Sequence, residues 1–486
     1  MAGLMINDDF MRFVASKYHD GYEFGEVTEK DVREFIQKLA GSTITDFVFN
    51  VNAQLSYTYS DVWETAEDKY NKTEENSHLV NYKNSYYKVW YDLFILQKLD
   101  MYKVWIEELN KININPWMSF RLNDTHDNGK RYGGERRSDF CDKARERGLV
   151  RINHREKDGY FDDCLDFKHE EVRNYHLAYI KEQLNRYNVY GIEIDYMREP
   201  YICSPGEEEN CRKIMLEFFG EIKKIIATAE EKYNHKIKLS VRAFRDPLTT
   251  YDAGLDIYTL IRKKIIDLVI PTPRFKTCDS DMPIYEWRKV FEGTGVEIAA
   301  GCDHQYQVSL DKTYLMNKET GAALAMQYLT GGADYIYLYN YTYSEDFEIY
   351  KFLGDVSLLE KRERRHIVSF QDVGYIHSTL YRPLPVQLCD GYLSGGYKYI
   401  RIQTGKISEG AKVILRLGCN KKLEKVYVNS APCVFAGTVK IEPEYFDGDI
   451  QEFEITKYNQ TQQMVEIKSE EDGAVLSYAE IRVIPQ

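Results

Sequence analysis

Eight short apolar runs in the first 345 residues each end in polar side chains, and these are the residues with chemistry to offer. In chain order they close on Asn7, Asp8 and Asp9; Asn50 and Asn52; Ser119, Arg121 and Asn123; Glu193, Asp195, Arg198 and Glu199; Arg242, Arg245 and Asp246; Thr272 and Arg274; Asp303 and His304; and Asn340 and Tyr341. Carboxylates set among guanidiniums and carboxamides suit a particular acid–base chemistry. One carboxyl protonates a leaving oxygen while a second, held ionised, attacks or activates water. Asp195 is the first choice for the ionised partner, because it ends the very apolar YGIEIDYM and has Arg198 and Arg242 available to hold its charge. Asp303 is the expected second carboxyl, on the expectation that strands four and seven face one another across a barrel. Glu199, Asp246, Asp8 and Asp9 are the alternatives. Glu193, two residues before Asp195 on the same face, is expected to be a buried group paired with Arg121 or Arg242. Substrate contacts are expected from Asp8, Asp9, Asn50, Asn52, Arg121, Asn123, His126, Arg198, Arg242, Arg245 and Asn340. No His or Cys spacing calls for a metal or other cofactor.

The elements that must position these residues follow from periodicity. The runs are residues 4–9, 45–52, 115–124, 190–199, 237–246, 266–273, 296–304 and 333–341, and between them lie segments with apolar residues at three-to-four spacing. Eight strands, each followed by a helix, predict an α/β fold of the (β/α)8 TIM-barrel type, whose site lies at the carboxyl ends of the strands. The connection 123–168 is long and rich in Asp, Arg and Gly, and it is expected to be a functional lid. After Lys361-Arg362-Glu363-Arg364-Arg365 helical periodicity stops and short alternating segments begin. They predict a small all-β sandwich, so the chain divides into a catalytic barrel, 1–365, and an accessory domain, 366–486.

Composition excludes several classes. A formal net charge of −13 repels a phosphate backbone, and no apolar run reaches the ~18 residues of a membrane helix. No glycine-rich phosphate loop follows the seventh run. The nine cysteines are scattered without a CxxC pair and read as buried thiols. MAGLMINDDF lacks the regions of a signal peptide, so the chain as numbered reads as cytoplasmic, or as secreted if a signal was removed. The 40 tyrosines suit sugar-stacking surfaces as well as half-exposed sheets. A carbohydrate partner is therefore expected, with oligomeric state left open.

The stretch LDFKHEEVRNYHLAYIKEQLNRYNVYGIEIDYMREP, 165–200, resembles family-10-like glycosyl hydrolases. The matching residues are Leu165, Asp166, Glu171, Val172, Arg173, Tyr187, Val189, Gly191, Ile192, Asp195, Arg198 and Pro200. The resemblance implies a barrel glycosidase of poly- or oligosaccharides with Asp195 in its site. The same strand is similar to the fourth strand of family-18 chitinases, but Met197 stands where their DxDxE series has its acid, which opposes substrate-assisted catalysis. The alternative is a non-catalytic carbohydrate-binding barrel that has lost its acid. Arg121, Arg198, Arg242, Arg245 and Arg274 crowd the ends of strands three to six; several are expected to pair internally with Glu193, Asp195, Asp246 and Asp124 as scaffold, and two left unpaired in the cleft would select an anionic sugar.

Overall fold

Side-chain alternation along the apolar runs gives each strand one face for a barrel interior and one for a helical shell. The strands are β1 (Gly3–Asp9), β2 (Ile44–Asn50), β3 (Asn115–Arg121), β4 (Gly191–Asp195), β5 (Lys238–Ala243), β6 (Leu268–Pro271), β7 (Glu297–Cys302) and, after a hairpin of β8 (Gln305–Gln307) and β9 (Thr313–Leu315), β10 (Tyr335–Leu338). The computed structural model describes residues 3–68, 86–125, 137–152, 161, 163–273, 277–309, 312–339, 347–370, 384–388 and 397–486. In it the eight parallel strands close in the order β1-β10-β7-β6-β5-β4-β3-β2. All eight expected runs are barrel strands. The closed order corrects one expectation: β4 is four steps from β10 and only three from β7, so the fourth strand faces the eighth and not the seventh.

Inward residues Met5, Val48, Trp117, Leu268, Ile270, Ala299, Tyr337 and Tyr339 fill the interior, whereas Leu4, Ile6, Phe47, Phe49, Ile192 and Ile194 pack outward with the helices. Trp117 is the largest inward side chain, and its indole Nε1 donates to Asp46 Oδ1 at 2.8 Å. Gly191 makes room for it. The expected long helix after residue 84 is instead split into Tyr87–Tyr91, a π-helical turn Asp92–Leu96 and Met101–Lys111. The split has a local cause: Asp92 is held by Tyr22 Oη at 2.6 Å and the Gly25 N–H at 2.7 Å, Lys98 turns left-handed at φ 54°, and Asp100 caps the next helix.

The C-terminal region forms two antiparallel sheets around a second apolar core. Its strands are β11 (Arg364–Ile367), β12 (Val386–Gln387), β13 (Lys398–Gln403), β14 (Lys412–Cys419), β15 (Lys425–Val428), β16 (Ala431–Pro432), β17 (Val434–Val439), β18 (Ile450–Glu454), β19 (Gln462–Lys468) and β20 (Val475–Ile484). One sheet has the order β11-β20-β14-β18-β17 with β12 beside β20, and the other is β13-β19-β15-β16. Together they make a sandwich. β11 straddles the expected division after residue 365 and pairs with β20. Barrel and sandwich are tied at Asp281, which accepts from Arg401 Nε and Gln403 Nε2, each at 2.9 Å, and at the reciprocal Ser280–Ser369 hydrogen bonds.

A Cβ on Gly191 would lie 2.4 Å from the Trp117 ring. Gly191→Ala is therefore expected to cost about 1–3 kcal/mol in denaturant unfolding, with part of the loss recovered by adding Trp117→Leu. Additive effects of the two changes would show that this contact does not set the interior packing.

Candidate active site

Asp195 ends β4 with no exposed surface, an arrangement that leaves a carboxylate dependent on protein donors. It has four. Oδ1 accepts from the N–H groups of Met197 and Arg198, both at 2.9 Å, and from Arg242 Nε at 2.8 Å; Oδ2 accepts from Arg242 Nη2 at 2.8 Å. Register explains the pair, because Asp195 and Arg242 are direct neighbours across β4 and β5. The other side of the guanidinium lies against Tyr339, 3.8 Å from the ring centroid. Oδ1 is thus crowded with donors, while Oδ2 takes one and keeps a lone pair.

One layer deeper sits Glu193, also without exposed surface. Ser119 Oγ donates to its Oε1 at 2.6 Å, so the partner is this serine, and Arg121, one of the two partners expected for it, points elsewhere. Burial, with the Asp195 charge adding to it, pushes the Glu193 carboxyl up to about 7, against the opposing pull of Arg242. The two carboxyls on one strand face therefore stand in different surroundings, Asp195 bound on both oxygens by a guanidinium and Glu193 bound by a serine hydroxyl. Around them, several buried polar atoms make no hydrogen bond: both amide atoms of Asn7 and of Asn50, Glu193 Oε2, and the hydroxyls of Tyr337 and Tyr339. Tyr337 reaches the neighbourhood of Glu193 from the opposite strand without hydrogen-bond geometry. An unpartnered buried polar group costs roughly 1–3 kcal/mol, so this layer of the barrel interior carries polar atoms that the protein itself leaves unmatched.

Toward the carboxyl ends of the strands Arg121 donates to Asp9 Oδ2 and Asp124 Oδ2, both at 3.0 Å, and Arg198 Nε stands 3.5 Å from Asp124 Oδ2. Asp9, at 26% side-chain exposure, is the accessible member of this group. Among the described residues, Arg121, Arg198 and Arg242 are matched by Asp9, Asp124 and Asp195. Arg274 lies outside the described residues.

Several expected contacts are occupied elsewhere. Asp8 shares the outward face of Leu4 and Ile6, pairs with Arg12 at 3.4 Å and is pushed up to about 7 by burial, so it lies behind the barrel wall. Asn52 is spent on the backbone of Arg121 and Ala53, and Asn123 on that of Leu165 and Tyr201. Arg245 binds Asp279 and the Asp281 carbonyl, which makes it part of the barrel–sandwich tie. Asp246 caps helix Pro247–Asp252. Asp303 is buried beside His304, whose N–H donates to its Oδ1 at 2.6 Å, and three strand steps from Asp195. Glu199 is buried beyond β4, close to Arg198 and Cys164. His126 and Asn340 lie outside the described residues, as does much of the expected lid.

Asn7, Ser119, Asp124, Tyr337 and Tyr339 join the site although none stood among the expected contacts. Their signal was present: Tyr335, Tyr337 and Tyr339 alternate with Ile336 and Leu338, which places the tyrosines on one face. Asp166 and Arg173, two of the residues on which the expected resemblance rests, fix loops around β4. Asp166 accepts from Ser204 Oγ at 2.7 Å, and Arg173 donates to the carbonyls of Phe167 and Lys168.

No family model matches the sequence, and no curated protein matches it. Among solved structures, alpha-L-fucosidase isoenzyme 1 from Paenibacillus thiaminolyticus aligns at 10% identity over 96% of this chain and 96% of its own, with a TM-score of 0.36. The PgaB (BpsB) glycoside hydrolase domain from Bordetella bronchiseptica aligns at 9% identity over 73% and 99%, TM-score 0.45. An alpha-amylase from Geobacillus thermoleovorans, complexed with acarbose, aligns at 10% over 96% and 99%, TM-score 0.39. At these values the likeness assigns no activity.

Because the folded-state pKa of Glu193 lies above the ordinary glutamate value of 4.5, its stabilising contribution is complete below about pH 4.5 and is lost as pH rises through 7. Asp8 follows the same trend, so the informative comparison is wild type against Glu193→Gln. The variant is expected to gain on the wild type by up to about 3 kcal/mol between pH 4.5 and 8 in urea unfolding. A difference independent of pH would mean that Glu193 does not titrate in this range.

Proposed function

We propose that the protein is a glycoside hydrolase acting on a neutral poly- or oligosaccharide, with Asp195 as the ionised carboxylate at the anomeric carbon and Glu193 as the protonated member of the pair. The observation that carries this reading is the opposed state of two carboxyls on one strand face: Asp195 held by Arg242, Glu193 pushed up to about 7. Asp195 Oδ2 retains a lone pair for attack on, or electrostatic support of, an oxocarbenium-like centre, and its other oxygen is fixed by three donors. Glu193 holds a proton for the leaving oxygen, directly or through water. The carboxamides of Asn7 and Asn50 and the hydroxyls of Tyr337 and Tyr339 supply donors and acceptors of the kind that sugar hydroxyls require. Among the described residues the guanidiniums of Arg121, Arg198 and Arg242 are each matched by a carboxylate, which favours a neutral sugar over a uronate or sulfated one. The family-10-like resemblance over 165–200 points the same way. We further propose that the boundary near residue 365 separates a catalytic barrel from a sandwich with no part in the chemistry, and that Asp303 and Glu199 stand outside the reacting pair.

A second reading, a carbohydrate-binding barrel without turnover, is favoured by the complete burial of Asp195. The two are separated by release of reducing ends from a panel of neutral oligosaccharides and aryl glycosides. Hydrolysis is expected, with Asp195→Asn lowering kcat about a thousandfold or more. Glu193→Gln is expected to lose about 10²–10⁴-fold on aryl glycosides with poor leaving groups while keeping most of the rate on dinitrophenyl glycosides, which need no acid. Saturable sugar binding without hydrolysis by the wild type would establish the second reading; equal losses of Glu193→Gln on both leaving groups would remove Glu193 as the acid.

A further inference from the structure

Two consecutive arginines on β11 have opposite surroundings. Arg365 is fully engaged, with Nε 2.7 Å from Glu480 Oε1 and Nη2 3.0 Å from Oε2. Arg364 is not: it is 1% exposed, and its Nε and Nη1 make no hydrogen bond. Strand alternation brings His366 to the same side as Arg364, where it is 3% exposed and neither ring nitrogen makes a hydrogen bond. Register places them beside Val483 and Ile481, on the side that faces the apolar core of the sandwich. Helix Lys318–Thr330 of the barrel packs against the same strand.

We propose that Arg364 and His366 form a buried oxyanion site on the inner face of the edge strand β11 of the sandwich, taking a phosphate- or sulfate-sized anion. A guanidinium removed from water is strongly destabilising unless an anion or a set of acceptors binds it, and Nε and Nη1 of Arg364 and both ring nitrogens of His366 make no hydrogen bond. The carboxylate that acts on Arg364 is Glu360, which is bound at 2.6 Å to Lys406. Burial lowers the guanidinium to about 10, so it still carries its charge at neutral pH. Burial and the neighbouring guanidinium keep the imidazole well below its usual range, hence neutral with a single N–H to give. The Gln403 backbone approaches that ring from the facing sheet outside hydrogen-bond geometry. An oxyanion answers both residues: it brings the missing charge and only acceptors, whereas a cation or an apolar group would leave the guanidinium uncompensated.

The test is thermal unfolding of the full chain in inorganic phosphate against chloride at equal ionic strength and pH. Phosphate is expected to raise Tm along a saturating curve, by about 3–5 °C near a hundredfold excess over its dissociation constant. Arg364→Met is expected to lose this response and, in chloride, to be at least as stable as wild type; His366→Phe is expected to weaken phosphate at least tenfold, and it decides the matter if Arg364→Met does not fold. The same Tm in both salts, a rise that never saturates, or a full response retained by the variants would overturn the proposal.

Discussion

The Asp195–Arg242 pair is the contact on which the rest of the site depends. A carboxylate without exposed surface persists as an ion only where donors replace its hydration, and here the guanidinium closes on both oxygens while two backbone N–H groups complete the shell. The pair has consequences on either side. Arg242 lies against Tyr339, and the fixed negative charge of Asp195 helps keep Glu193 protonated one layer below. Polar groups that the protein leaves unmatched gather around these residues, in a fold whose interior is otherwise filled by apolar side chains.

The surrounding loops use polar side chains as fasteners. Asn52 and Asn123 each bind backbone on both a donor and an acceptor atom, and Asp166 ties the loop before helix Glu170–Arg186 to Ser204 beyond β4. They hold the strand ends at a fixed height. Arg121 does the same for charge, joining Asp9 on β1 to Asp124 beyond β3. A sugar-binding cleft gains specificity when such supports are rigid, since reorganisation on binding then costs little.

Much of this was legible in the sequence. Period-two alternation separated by helical segments located all eight barrel strands, and the polar character of the strand ends identified Asp195 and Arg242. What the pattern could not supply was pairing. Strand order across a closed barrel decides that β4 faces β10, and side-chain direction decides that Asp9 enters the barrel while Asp8 leaves it; neither follows from residue type. The arginines show the same limit. Their clustering suggested an anionic ligand as well as internal pairing, and a guanidinium carries no mark of whether a carboxylate from a distant segment will neutralise it, as Asp9 does for Arg121 and Asp279 for Arg245. Glu193 was legible as buried, and burial is the main cause of its raised carboxyl; the opposed contributions of Asp195, which raises it, and Arg242, which lowers it, are effects of three-dimensional charge.

The account stands on Glu193 being protonated beside an ionised Asp195 at neutral pH, and vibrational spectroscopy addresses this directly. In protein carrying ¹³C-carboxyl glutamate, infrared difference spectra across the pH range distinguish Glu193 from Asp8, which also titrates high. The account predicts an isotope-shifted carboxylic-acid C=O band that disappears with a midpoint near pH 7 and is absent from Glu193→Gln. Titration of every glutamate near 4.5, with no band specific to Glu193 at pH 6, would contradict it.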